Sequence, residues 1–271
     1  MNRVVIVTGA SSGIGAATAR RLARAGFTVY GAARRQDRLA ELAGHGVRPL
    51  PLDLTDDESV SAAVRTVLDE AGRIDVLVNN AGYGSYGAIE DVPIDEARRQ
   101  IEVNLIGLAR LIQLVLPTMR AQRGGTIVNV TSIGGKITTP FGGWYHATKF
   151  AVEGLSDALR AEVAPFGVRV VVIEPGGIRT EWSGIAMQTA RAASGDGAYA
   201  EGIEKMAAAM DGPIGDRASE PDVVAEAIER AITARRPKTR YAVGFLAKPS
   251  VIARRILPDR AMDAIQSRML A

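Results

Sequence analysis

The chain has 271 residues, 47% of them hydrophobic and 23% charged, with a net charge of +3 and no cysteine. That apolar content can fill a core covered on both faces, and the missing thiols exclude disulfides, thiolate chemistry and cysteine-ligated metals. His45 and His146 are too few and too far apart for a metal motif, so no metal is expected.

Apolar, β-branched runs at 3–8, 27–33, 47–52, 74–79, 126–131, 168–174 and 241–244 predict strands. Helical patterns near 13–25, 36–43, 56–71, 94–121, 144–164 and 219–234 fall between them. This alternation predicts an α/β fold: a Rossmann-type, doubly wound parallel sheet of about seven strands with helices on both faces. Its ligand belongs at the carboxyl ends of the strands. No linker or repeat divides the chain, so residues 1–245 are expected to form one catalytic domain and 246–271 a helical extension. The first strand begins at about residue 3, so no signal peptide is expected. Asn104, Arg110 and Gln113 interrupt the longest apolar stretch, 103–116. A soluble, cytoplasmic protein is expected.

Thr8-Gly9-Ala10-Ser11-Ser12-Gly13-Ile14-Gly15 follows the first strand and opens a helix. Glycine lets the backbone turn sharply and approach a pyrophosphate, whose charge is favoured at the helix N-terminus. After the second strand, where an NAD enzyme carries a carboxylate for the ribose 2′-hydroxyl, the chain reads Ala33-Arg34-Arg35. Arg34 is suited to a 2′-phosphate, with Ser12 as a second donor. NADP(H) is therefore the preferred cofactor and NAD(H) the alternative.

Further along, Ser132 precedes Tyr145 by thirteen residues, and Lys149 follows Tyr145 by four. On a helix, positions 145 and 149 are one turn apart and project from one face. An ammonium about 4 Å from the phenol, at an effective dielectric near 20, stabilises the phenolate by up to roughly 4 kcal/mol. The expectation is a phenol tuned towards neutrality for proton transfer.

The glycine turn, Asn79-Asn80-Ala81-Gly82, Asn104, Ser132, Tyr145/Lys149 and Pro175-Gly176-Gly177-Ile178-Arg179-Thr180 occur in this order. The set resembles the short-chain dehydrogenase/reductase family over about residues 3–245. The stretch 144–160 is most similar to the branch related to hydroxysteroid and retinol dehydrogenases. The resemblance implies that Tyr145 exchanges a proton with the substrate oxygen and that Ser132 holds that oxygen. Lys149 would also bond the nicotinamide ribose, and Asn104 would support a water leading from Lys149 to solvent. It implies cofactor contacts from Gly9, Ser11, Ser12, Gly13, Ile14, Gly15, Arg34, Asp53, Leu54, Asn80, Ala81, Gly82, Tyr145, Lys149, Pro175, Gly176, Ile178 and Thr180. Asp53 would bond the adenine amino group with Leu54 against the ring; a turn-forming Asp and a strand-capping Asn80 are the plainer alternatives.

Residues 183–217 break the rhythm with Gly195, Gly197, Gly212 and Gly215 around an Ala/Met-rich segment. By family resemblance this is a substrate lid. Tyr83, Phe141, Trp144, Trp182, Ile185, Met187, Met206 and Met210 fall near the expected cleft and suggest a small lipophilic carbonyl or alcohol as substrate. Long apolar faces on 94–121 and 144–164 suggest self-association, since Val103, Ile106, Leu111, Leu114 and Val115 exceed what a simple surface helix needs, and the family resemblance implies that these two helices meet symmetry mates in a homodimer or homotetramer.

Residues 235–271 hold nine Lys/Arg against Asp259 and Asp263. No aromatic interleaving accompanies them, so nucleic acid is not expected as a partner. Within 246–270, Leu246, Val251, Ile252, Ile256, Leu257, Met262, Ile265, Met269 and Leu270 alternate with Lys248, Arg254, Arg255, Arg260 and Arg268. Pro249 and Pro258 are expected to divide this tail into two short helices. Their apolar side either packs on protein or makes peripheral contact with an anionic membrane.

Overall fold

The computed structural model describes residues 2–212 and 215–267. Seven strands, β1 (Val4–Thr8), β2 (Thr28–Ala33), β3 (Val47–Pro51), β4 (Val76–Asn79), β5 (Gly125–Val130), β6 (Val168–Pro175) and β7 (Arg240–Val243), form one parallel sheet. Their order is β3-β2-β1-β4-β5-β6-β7. The winding direction reverses between β1 and β4, which opens a crevice at the carboxyl end of the sheet.

Alternation along β1 shows why the sheet is covered twice. Val4 and Ile6 join a core with α3 (Asp57–Ala71), α5 (Gly107–Ala121) and α6 (Gly143–Val163). Val5 and Val7 join another with α1 (Gly13–Arg24), α2 (Gln36–Ala43) and α9 (Asp222–Thr233). Every residue of β1 is buried, so neither face of the strand is left to solvent. Local signals set the helix ends. At α3, Asp56 accepts hydrogen bonds from Glu58 N at 2.9 Å and Ser59 N at 3.3 Å, and left-handed Gly72 stops the helix.

The predicted helix 94–121 is continuous but changes pitch: α4 (Ile94–Ile101) passes through a π segment, Glu102–Ile106, into α5. It is long and apolar enough to cross a membrane by length and composition, yet Leu108, Leu111, Ile112, Val115 and Met119 pack in the core. Of the five residues expected as surplus, Leu111 and Val115 are thus spent on the sheet, while Ile106 is exposed, as is Phe150 on α6.

The segment after β6 contains two helices, α7 (Trp182–Ser194) and α8 (Ala200–Asp211), which pack together over the carboxyl end of the sheet. Beyond β7 lie α10 (Ala247–Ile256) and α11 (Asp259–Ser267). They are the two short pieces expected, with Pro258 between them and Pro249 at the start of the first. There, in the first turn of α10, its missing N–H costs no helical bond. Val251 and Met262 face inward, whereas Leu246, Ile252, Ile256 and Ile265 are exposed. Arg268, Met269 and Leu270 lie outside the described residues.

Candidate active site

The β1–α1 turn is built for an anion. Ser12 occupies the N-cap of α1 without a side-chain cap bond, and the first turn holds no acidic residue. The positive end of the helix is therefore left to other partners. A Cβ on Gly15 would stand 2.2 Å from the Gly9 carbonyl oxygen, so only glycine permits this tight a turn. Ile14 packs against the core on the α1 side of the sheet. Across the crevice, Asn80 Nδ2 donates to Thr8 O at 3.0 Å, and the amides of Asn80 and Ala81 both donate to Thr8 Oγ1 at 3.0 Å. Asn80 thus braces the turn, and Ala81-Gly82 forms the facing wall. This uncapped, glycine-lined cradle fits a dinucleotide pyrophosphate.

Asp53 Oδ1 accepts from Thr55 N at 2.9 Å and Thr55 Oγ1 at 2.8 Å, the turn-forming role. Burial opposes its ionisation, but these bonds and the charge of Arg34 prevail and hold its carboxyl below the ordinary range. Leu54 is buried beneath Gly107. Arg34 is exposed on this side of the crevice. Its neighbour Arg35, which the sequence expectation omits, is the one engaged: Nε lies 3.1 Å from Ser11 Oγ and Nη2 lies 2.8 Å from Ser12 Oγ. The Arg-Arg pair was the available signal, but not which of the two would turn inward. Beyond Pro175, Gly176 N and Gly177 N donate to Val243 O and Phe245 O, both at 2.9 Å, which carries Ile178 and Thr180 back over the turn. Thr180 lies against Gly13.

α6 supplies Tyr145 and Lys149. The Lys149 ammonium donates to Val130 O at 3.1 Å and stands 5.7 Å from the Tyr145 ring centroid. Ser132, just beyond β5, accepts from Gly134 N at 2.9 Å and is hydrogen-bonded to the Tyr145 hydroxyl. Asn104 sits on the π segment, a distortion often found at functional sites. Its Oδ1 accepts from Tyr83 N at 3.0 Å, and its Nδ2 donates to Tyr83 O at 2.9 Å and Thr148 Oγ1 at 3.2 Å. The four expected residues are thus gathered in one place. His146 has a structural position beside them. Its Nε2 accepts from Thr139 N at 2.9 Å and its Nδ1 faces Gly134 O at 3.0 Å, which assigns the proton to Nδ1. Burial depresses its pKa, so the ring is neutral.

The electrostatics correct one expectation. Burial pushes the Tyr145 phenol up to about 12, with the Ser132 hydrogen bond opposing. Burial likewise pushes Lys149 down to about 8, with the charge of Glu153 opposing. The ammonium is aimed at the Val130 carbonyl and both groups are removed from water, so desolvation outweighs their mutual attraction. In the protein alone the phenol keeps its proton at neutral pH.

An apolar cluster roofs this group. Tyr86, Tyr145, Ala186, Met187, Ala190, Ile203, Met206 and Ala207 form one buried cluster, with Phe141, Trp182 and Met210 packed against it. The Trp182 ring lies 5.0 Å from Tyr145 and 5.6 Å from Tyr86. It presses so closely on Gly84 that a Cβ there would be 2.5 Å from the indole. Phe141 holds a left-handed backbone, φ 62°, a strain that non-glycine residues tolerate only when their surroundings enforce it. Three residues expected near the cleft have other contacts or surroundings. Tyr83 donates its hydroxyl to Glu96 at 2.9 Å, Ile185 is exposed, and the Trp144 indole N–H is buried without a partner. Tyr86 was missed, because nothing local in Gly84-Ser85-Tyr86 distinguishes an inward ring from a loop residue.

Comparison with known proteins agrees with this geometry. The profile of the short chain dehydrogenase family matches residues 3–191. The chain is similar to the 3-ketodihydrosphingosine reductase of Bacteroides thetaiotaomicron, 44% identical over 66% of this chain and 65% of the other. It is 35% identical to the NADPH-dependent 3-dehydrocapnine reductase of Ornithobacterium rhinotracheale, over 97% of this chain and 95% of that one. The crystal structure of a short-chain dehydrogenase from Streptomyces avermitilis superposes with a TM-score of 0.81 at 34% identity, covering 99% of this chain and 96% of that one.

Proposed function

The chain belongs to the short-chain dehydrogenase family, and within it we propose that it reduces a lipophilic carbonyl compound to its secondary alcohol with NADPH. The observation that carries this reading is the packing over the phenol: a protonated Tyr145, bonded to Ser132 and with the Lys149 ammonium 5.7 Å from its ring centroid, stands under a roof of Met, Trp and Tyr side chains. The nicotinamide, when bound, supplies the hydride. Tyr145 gives its proton to the carbonyl oxygen as charge develops there, and a phenol with a pKa near 12 is in the form that reduction requires. Ser132 holds the same oxygen, and Lys149 keeps a cation beside the phenolate left behind. The apolar roof excludes water and accepts an alkyl chain.

The cofactor side supports NADP(H) through Arg34 and Arg35 at the end of β2, with no carboxylate there to favour NAD(H). The two reductases above, named for a 3-keto and a 3-dehydro compound, favour a long-chain ketone of that kind. We place the reaction in the cytoplasm, in a homodimer or homotetramer joined through the exposed Ile106 and Phe150, with α10 and α11 offered to an anionic membrane that holds the substrate. NADPH consumption against a panel of ketones graded by chain length tests the core reading. Turnover should rise with chain length, and cofactor binding without turnover of any carbonyl would favour a regulatory dinucleotide binder instead.

A further inference from the structure

The guanidinium of Arg35 joins two parts of the molecule that are far apart in sequence. Besides Ser11 and Ser12 of the glycine turn, it holds Glu181, with Nη1 3.1 Å from Oε2. Glu181 is the N-cap residue of α7, the first helix of the roof. The next residue is Trp182, whose ring covers Tyr145. The Ser12 hydroxyl that could have capped α1 instead meets this clasp. Both members of the ion pair are about half exposed, 46% and 47%. A pair so open to water is weak and gives way to a stronger anion.

That anion is the 2′-phosphate of the cofactor proposed above, a doubly charged group that binds at the carboxyl end of β2, where Arg34 and Arg35 stand. We propose that Glu181 is a cofactor-selecting residue: its carboxylate occupies the 2′-phosphate's place on Arg35 and Ser12, and only a phosphate can displace it. Displacement also frees the N-terminus of α7 and lifts Trp182 from the catalytic ring. NAD(H), which lacks the phosphate, leaves the clasp closed. One contact thus couples cofactor choice to uncovering of Tyr145, an inference that rests on the NADP(H) reading.

The probes are 2′,5′-ADP, which carries the phosphate without a nicotinamide, and 5′-AMP, which lacks it; neither requires turnover. Glu181→Gln keeps the shape but removes the charge that competes with the phosphate. It should bind 2′,5′-ADP up to about fivefold more tightly than wild type, while 5′-AMP affinity stays unchanged and reports an intact site. The chain has two tryptophans, so in a Trp144→Phe background the emission reports Trp182. That emission should shift with 2′,5′-ADP but not with 5′-AMP, and Glu181→Gln should show part of the shift without ligand. Unchanged or weaker 2′,5′-ADP binding in Glu181→Gln, with wild type still preferring 2′,5′-ADP, overturns the role of Glu181 and leaves the NADP(H) reading standing. If neither protein distinguishes the two probes, both fall.

Discussion

Replacing Lys149 by Met should make the cofactor-free protein more stable at neutral pH while destroying its activity. Burial holds Lys149 at about 8 against an ordinary 10.5, and each tenfold difference corresponds to about 1.4 kcal/mol. At pH 7 the folded protein therefore bears a cost of about 3 kcal/mol to keep a charged ammonium out of water. Methionine fills similar space without that cost, but leaves the Val130 carbonyl without its 3.1 Å donor, a loss of about 1 kcal/mol. The net expectation is a gain of about 2 kcal/mol at pH 7. The sign of the pH dependence follows. The folded pKa is depressed, so the unfolded chain binds the extra proton between pH 8 and 10.5, and wild-type stability must rise with pH through that window. Tyr145, pushed up to about 12, works the other way but only above pH 10. Urea unfolding at pH 7 and pH 9.5 should show wild type gaining about 2 kcal/mol, an increment missing from Lys149→Met. A variant that is less stable at pH 7 and keeps the wild-type pH slope would refute the claim that desolvation of this ammonium dominates.

Other consequences are simpler to test. Tyr145→Phe should bind cofactor like wild type, with turnover lower by at least about a hundredfold; near-normal turnover would remove Tyr145 as the acid. Arg34→Ala, which deletes a charged phosphate donor worth roughly 1.5–3 kcal/mol, should weaken NADP(H) by about ten- to a hundredfold and leave NAD(H) unchanged, as measured by titration. If α10 and α11 meet a membrane, the protein should sediment with anionic vesicles at low salt and be released by high salt. Ile252→Ser combined with Ile256→Ser should abolish binding, and absence of binding by wild type would leave these helices as surface packing only.

The sheet was legible because a parallel strand buried on both faces has little latitude in composition. Val4-Val5-Ile6-Val7 can only be interior, and each such run is followed by a helix that must return to start the next strand. The glycine turn was legible for a similar reason: where Gly15 meets the Gly9 carbonyl, sterics admit one residue type. Side chains without such a constraint were less readable. Helical spacing placed Tyr145 and Lys149 on one face of α6, yet said nothing of what lay above them. The burial that raises the phenol's pKa is supplied in part by Trp182, thirty-seven residues downstream, and by Tyr86, fifty-nine residues upstream.

Arg35 shows the same limit at the cofactor side. Two adjacent arginines at a strand end have equal local claims on a phosphate, and which one turns inward depends on where Ser11, Ser12 and Glu181 present their oxygens. Glu181 is there because Pro175-Gly176-Gly177 leads the chain off β6, through bonds to Val243 and Phe245, and back across the glycine turn. The tertiary path brings together groups that sequence spacing keeps apart, and the weak, exposed clasp that results is the kind of contact a ligand can replace. Catalytic residues that act by proximity along one helix can therefore be read from spacing. Residues that decide which cofactor is admitted, and when the roof lifts, depend on contacts between α7 and β2 that only the folded chain creates.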